Sequence, residues 1–166
     1  MPMIKIGVSA CLLGQKVRYD GKDKFVDLEK HFDPKVYQFI PICPEVEMGM
    51  SIPRPPIQIR IIDGATRLVQ ANDHSLDFTD QLNKWFEENK QRFKEFQGFI
   101  LKSKSPSCGN LTTKHINTDE TFSLKDGLFV QNLKSLDEKV IIIDEKTLST
   151  TMVTTHTSHS CEGRNL

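Results

Sequence analysis

The stretch that decides the reading of this chain is Ile4–Ser9, IKIGVS, run directly into Ala10-Cys11-Leu12-Leu13-Gly14. The first six residues are short, apolar and rich in β-branched side chains, which predicts a strand. The strand ends at once in a cysteine and a glycine. Working outward, the same grammar recurs. The YQFIPI run at 37–42 predicts a second strand and stops at Cys43-Pro44, with Pro41 limiting its pairing near the end. GFILK at 98–102 predicts a third and leads into Ser103-Lys104-Ser105-Pro106-Ser107-Cys108-Gly109. VIIID at 140–144 predicts a last strand, apolar enough to be buried on both faces.

Between these runs lie helical and turn signals. Leu28, Phe32 and Val36 suggest a broken helical segment interrupted by Pro34. A loop dense in proline (Pro44, Pro53, Pro55, Pro56) precedes two strand-like runs, 57–62 and 66–70, which flank the hairpin signal Asp63-Gly64. The clearest helix spans about 78–96, with Asp77 as N-cap and Gly98 just beyond the far end. Its Phe78, Leu82, Trp85, Phe86, Phe93 and Phe96 fall largely on one face, which reads as core. A second hairpin is expected around Asp126-Gly127. Strand, crossover, strand, helix, strand is the order of a single α/β domain with an open, mostly parallel sheet and flanking helices, Rossmann-like in plan. Such sheets bind ligands beyond the carboxyl ends of their strands. Three cysteines distant in sequence, Cys11, Cys43 and Cys108, are thereby expected on one rim.

Composition narrows the possibilities. The chain has 166 residues, with 22 Lys+Arg balancing 22 Asp+Glu, 27% charged and 37% hydrophobic residues. That argues for one domain, placed at 1–149, and against a membrane span, a fibrous repeat or a wholly disordered chain. Residues 150–166, rich in Thr and Ser, read as a disordered tail. Zero net charge disfavours wholesale binding to nucleic acid. No export signal is evident, so a cytoplasmic setting with reduced cysteines is expected. Three reduced thiols at one rim suit zinc or an iron–sulfur cluster, with packing as small hydrophobes the plain alternative. No C-x-x-C pair is present. The turn-forming neighbours of each cysteine, such as Pro44, Pro106 and Gly109, favour a ligand role, because free amides there can donate to sulfur.

Three blocks, SACLLG with VRYDG, then CPEVEMGMSIPRPP, then GFILKSKSPSCG, closely resemble the motifs of the thiouracil desulfidase family. The resemblance runs in order over nearly the whole chain. It implies a 4Fe–4S cluster held by Cys11, Cys43 and Cys108, with the fourth iron free of protein ligands. It also implies removal of sulfur from thiolated uracil, leaving the oxo base and sulfide. Met50 stands where the family more often has Leu, the 127–140 stretch looks shorter and more polar than the usual helix-like segment, and 150–166 matches nothing.

On this reading the open iron binds the thiocarbonyl sulfur of a small-molecule pyrimidine, and water adds to the ring carbon in a hydrolytic, non-redox exchange. Glu45, two residues from Cys43, is the expected acid–base group. Ser105 is the expected catalytic hydroxyl, preferred over Ser103 and Ser107, with Ser107 kept as a substrate contact. Arg18, Tyr19 and Arg54 are expected to meet the base or a phosphate, and Asp20 to fix a turn with Gly21. Lys102 and Lys104 are similar contact candidates, with solvated surface the safer reading. The run His156, His159, Cys161 is assigned to the tail and not to the metal. Two rival readings remain: a zinc-stabilised binding or regulatory module without catalysis, and a nucleophilic Cys108 with persulfide chemistry.

Overall fold

A computed structural model describes residues 2–148. The four predicted apolar runs assemble into one fully parallel sheet. β1 (Ile4–Ser9) lies between β2 (Tyr37–Ile42) and β6 (Gly98–Leu101), and β9 (Ile142–Asp144) closes the far side. The register runs from Ile4 opposite Tyr37 to Ser9 opposite Ile42, with Val8 opposite Ile100. All four strands therefore end at the same rim.

Alternation of side chains sets the two faces. Ile6, Val8 and Ile100 point to one side, into a cluster with Leu12, Leu28 and Leu148. Phe99 and Leu101 point to the other, where helices cover the sheet. Gly7 is required there: a Cβ would come within 2.7 Å of the Phe99 ring. The covering helices are α2 (Thr79–Phe93) and α3 (Leu128–Leu136). Trp85, Phe86 and Phe93 from α2 surround the fully buried Phe129 of α3, with ring centroids 5.2 Å apart for Phe93 and Phe129. The aromatic face of the predicted helix is thus core, as read. The N-cap of α2 is Phe78 and not Asp77 as expected; Asp77 stands one position earlier, where its carboxylate accepts a hydrogen bond from the Thr79 amide, 2.9 Å.

A second sheet contains five strands, in the order β5-β4-β3-β7-β8, built from β3 (Ile57–Ile62), β4 (Ala65–Gln70), β5 (Asp73–Asp77), β7 (Thr113–Ile116) and β8 (Phe122–Lys125). Its neighbours are antiparallel except β3 and β7. Only its Asp63-Gly64 hairpin is anticipated by the sequence; Asp63 and Gly64 both take positive φ there.

Five expectations need correction. The hairpin expected at Asp126-Gly127 turns instead at 117–121, where the Asn117 amide donates to the Thr121 carbonyl. Asp126-Gly127 opens α3, and the same residue pair serves either purpose because both turns and helix starts favour small polar residues. The 127–140 stretch is not polar where it matters: Leu128, Phe129, Val130 and Leu133 are buried. VIIID is not covered on both faces, because β9 is an edge strand of three residues and Ile141 is half exposed. The broken helix near Leu28 shrinks to a 3₁₀ turn at Leu28–Lys30, and Gly98 opens β6 without capping α2. No helix among the described residues is long and apolar enough to cross a membrane. Residues 150–166, with His156, His159 and Cys161, lie outside the described residues.

Candidate active site

Each parallel strand hands its chain to a short, tightly hydrogen-bonded turn at the carboxyl rim. After β1 the chain enters a 3₁₀ turn, Ala10–Leu13, that closes on Gly14 at φ +92°. The Cys11 carbonyl is held by the amides of Gly14 and Lys24, at 3.2 and 2.9 Å. After β2, Cys43 caps the short helix α1 (Pro44–Glu47). Its amide donates to the Glu47 carboxylate, which Arg92 of α2 grips at 2.7 Å.

After β6, the Cys108 loop is fixed from two sides. The Ser105 hydroxyl accepts from the amides of Ser107 and Cys108, at 3.1 and 2.9 Å. The N-terminal amides of α3 meet the loop carbonyls, Leu128 to Pro106 at 2.9 Å and Phe129 to Ser107 at 3.0 Å. Gly127 lets them approach, since a Cβ there would stand 2.6 Å from the Ser107 carbonyl.

The three thiols line one cavity of about 740 Å³. Cys11 and Cys108 are buried and Cys43 is half-buried. Burial pushes the Cys11 thiol up to about 11, helped by the neighbouring Cys43. Burial likewise raises Cys43, and raises Cys108 far above the ordinary range, with charge on Cys43 and Cys11 adding to it. Left to themselves these thiols hold their protons, and a cationic metal core is what makes three adjacent thiolates favourable. The donor set therefore fits an iron–sulfur cluster. Among the described residues no group of three His, Cys, Asp and Glu side chains is gathered to hold a single metal ion.

Glu45 lines the same cavity and is held at both oxygens. Arg54 donates from Nε to Oε1 at 2.9 Å, and the Ser107 hydroxyl donates to Oε2 at 3.2 Å. The remaining Arg54 nitrogens donate to the carbonyls of Ser51 and Val17, at 3.1 and 3.0 Å. Its guanidinium is thus spent inside the protein, anchoring Glu45 and the Val17–Tyr19 loop. Arg18 and Tyr19 also line the cavity, with the Arg18 guanidinium 5.7 Å from the Tyr19 ring centroid. Asp20 accepts from the Lys22 amide, in the turn expected for it.

Sequence reasoning missed Glu145. It sits just past β9 and accepts from the Ser103 amide and hydroxyl, at 2.9 and 2.6 Å, and pairs with Lys102 at 3.1 Å. Burial opposes its ionisation, but the Ser103 hydrogen bonds and the Lys102 charge prevail and hold it below the usual range. Its signal was its position, the first residue beyond the fourth strand of a parallel sheet. Lys102 is accordingly no solvated surface residue: its ammonium is part of the cavity wall.

The fold and the rim together define an α/β protein with a three-thiol site at the carboxyl ends of a parallel sheet. The family model for 2-thiouracil desulfurase matches residues 6–145, and the chain belongs to that family. Among solved structures, it is similar to the [4Fe-4S]-dependent thiouracil desulfidase TudS, at 26% identity and a TM-score of 0.65, over 93% of this chain and 99% of that one. Comparison with curated protein sequences returned no match.

Proposed function

We propose that this chain is an enzyme that exchanges the sulfur of a thiolated uracil for oxygen at a 4Fe–4S cluster held by Cys11, Cys43 and Cys108. The observation that carries the reading is the meeting of three proton-retaining thiols, from three separate strand ends, around a cavity that also holds Glu45. When bound, the cluster supplies a Lewis-acidic iron suited to soft sulfur. Cys11, Cys43 and Cys108 would be its protein ligands.

The chain's own residues supply the rest. Glu45, aimed by Arg54 and Ser107, takes a proton from water as oxygen adds to the ring carbon, and returns it as the carbon–sulfur bond breaks. One C=S bond is exchanged for C=O, water is consumed and sulfide is released, with no net electron transfer. Ser105 accepts two amides and so has its own proton left to donate, to the attacking water or to the pyrimidine carbonyl. Tyr19 and Arg18 offer a ring and a charge for the pyrimidine and whatever it carries. The occupant is a free thiouracil, its nucleoside or its nucleotide.

The nucleophilic Cys108 reading is less well supported. Cys108 is buried with a strongly raised thiol, and the described histidines offer no base to it: His115 bonds the Asp126 carbonyl at 2.8 Å. The test is anaerobic reconstitution with iron and sulfide, followed by incubation with 4-thiouracil. A brown protein with about four irons and loss of the substrate's near-ultraviolet band supports the proposal; a colourless protein with stoichiometric zinc and no turnover overturns it.

A further inference from the structure

Lys102 follows β6 directly and lines the cavity, with its side chain 18% exposed. Its backbone is pinned by its own amide, which donates to the Ser9 hydroxyl at the end of β1, 2.9 Å. The ammonium has three N–H donors. One goes to the Ser103 carbonyl at 2.9 Å and one to Glu145 Oε2 at 3.1 Å. The third has the Ser103 hydroxyl oxygen at 3.4 Å, longer than an ordinary N–H···O bond. Glu145 does not depend on this cation for its partners, because it already takes the Ser103 amide and hydroxyl protons, at 2.9 and 2.6 Å. A charged donor is thus fixed in the wall of the site with one proton weakly engaged.

Its place along the rim says what that proton can meet. The sheet order is β2-β1-β6-β9, with Glu45 just beyond β2 and Lys102 just beyond β6. One strand lies between them, so the two strand ends stand about 10 Å apart. A thiouracil whose C–S carbon faces Glu45 turns another ring edge toward Lys102. A uracil with one sulfur still carries one ring oxygen to present there. We propose that Lys102 is a specificity-determining residue: it donates a hydrogen bond to the ring carbonyl that is not exchanged, and so selects thiolated pyrimidines that keep that oxygen over those that lack it. The proposal rests on the reading of the cavity as a thiouracil site. The Ser105 proton is then left to the attacking water. Because this carbonyl is unchanged by the reaction, the bond is the same before and at the transition state, and it acts on KM more than on kcat.

The test uses the reconstituted full chain and two substrates, 4-thiouracil and pyrimidine-4-thione, the second lacking the ring carbonyl. Wild type is expected to prefer 4-thiouracil about 10- to 100-fold in kcat/KM, the worth of one hydrogen bond to a charged group. Lys102→Met, which removes the charge and keeps most of the length, is expected to take up the same iron and to lose that preference. Its KM for 4-thiouracil should rise by about the same factor, with little change in kcat. Binding of uracil, followed by calorimetry, should weaken in parallel, a readout independent of turnover. If Lys102→Met does not fold, the wild-type comparison decides alone: equal kcat/KM for the two rings overturns the proposal. Unchanged KM, uracil binding and preference in an iron-loaded Lys102→Met would also overturn the role of Lys102, while leaving the desulfidase reading intact. An iron-loaded wild type that leaves 4-thiouracil unaltered would overturn that reading itself, and this proposal with it.

Discussion

The two sheets of this protein are of similar size but unequal in function. The parallel sheet sends Cys11, Cys43 and Glu145 from three strand ends, and Cys108 from the loop after a fourth, into one cavity. The mixed sheet contributes Ile57 to that wall and otherwise packs: Ile59 and Leu68 join the core, while every residue of β5 and β8 is exposed. The difference follows from strand direction. Parallel neighbours all finish at one edge, so four turns distant in sequence become adjacent. Antiparallel neighbours finish at opposite edges and gather no such set. A soft-ligand site assembled from scattered residues thus needs the first arrangement, and the second serves as its support.

The sharpest way to break this contrast is to remove a rim thiol. Cys11→Ala, Cys43→Ala or Cys108→Ala is expected to abolish cluster uptake and all turnover, read as loss of the brown absorption and of bound iron. Full iron in any one variant would strike that residue from the ligand set. Next in size is the carboxylate. Glu45→Gln is expected to keep the iron while turnover falls about 10²–10⁴-fold, the usual worth of a general acid–base group. Arg54→Lys should reproduce part of that loss, because an ammonium cannot replace the guanidinium that spans Glu45, Ser51 and Val17.

The helical layer beneath the rim gives a third, purely structural effect. Phe129 is fully buried among Trp85, Phe86, Phe93 and Phe99. Phe129→Ala is expected to lower stability by about 3–5 kcal/mol, measured by denaturant unfolding of the apo chain. It also loosens the helix whose amides hold the Cys108 loop, so cluster loss should accompany it at lower temperature than in wild type.

These effects also mark what the sequence could tell. The parallel strands were legible because runs such as IKIGVS and GFILK are apolar and bounded by turn residues, and the α/β rule then converted three cysteines into one site. The second sheet was hidden because β5, DHSLD, is polar but for Leu76, and β8, although FSLK alternates, is only four residues long, too short a run to read as a strand. Asp126-Gly127 misled because turn chemistry is shared between hairpins and helix starts. Within the site, residue types adjacent to the cysteines were legible and their partners were not. Nothing local joins Arg54 to Glu45, or Arg92 to Glu47; those pairs exist only because α1 and the proline-rich loop fold back. Arg54 was accordingly read as a substrate contact, whereas the structure turns its guanidinium toward Glu45.

The smallest effect is one of pH, and it separates the rim from the rest of the molecule. The Cys11 thiol, raised from its ordinary value to about 11, binds its proton more tightly in the folded apo chain than in the unfolded one. A raised thiol stabilises the fold fully below the unfolded value, near 9, and that contribution is lost as pH climbs through about 11. Apo protein should therefore weaken between these limits, by on the order of 2 kcal/mol from Cys11 with Cys43 and Cys108 acting in the same direction. Cys11→Ala should flatten the slope. An exposed change on the mixed sheet, Phe122→Ser, should leave the slope unaltered and shift stability by no more than about 0.5 kcal/mol. Denaturant melts of the three apo proteins across this pH range make the comparison; equal slopes in wild type and Cys11→Ala would show that burial at the rim does not hold the thiol proton.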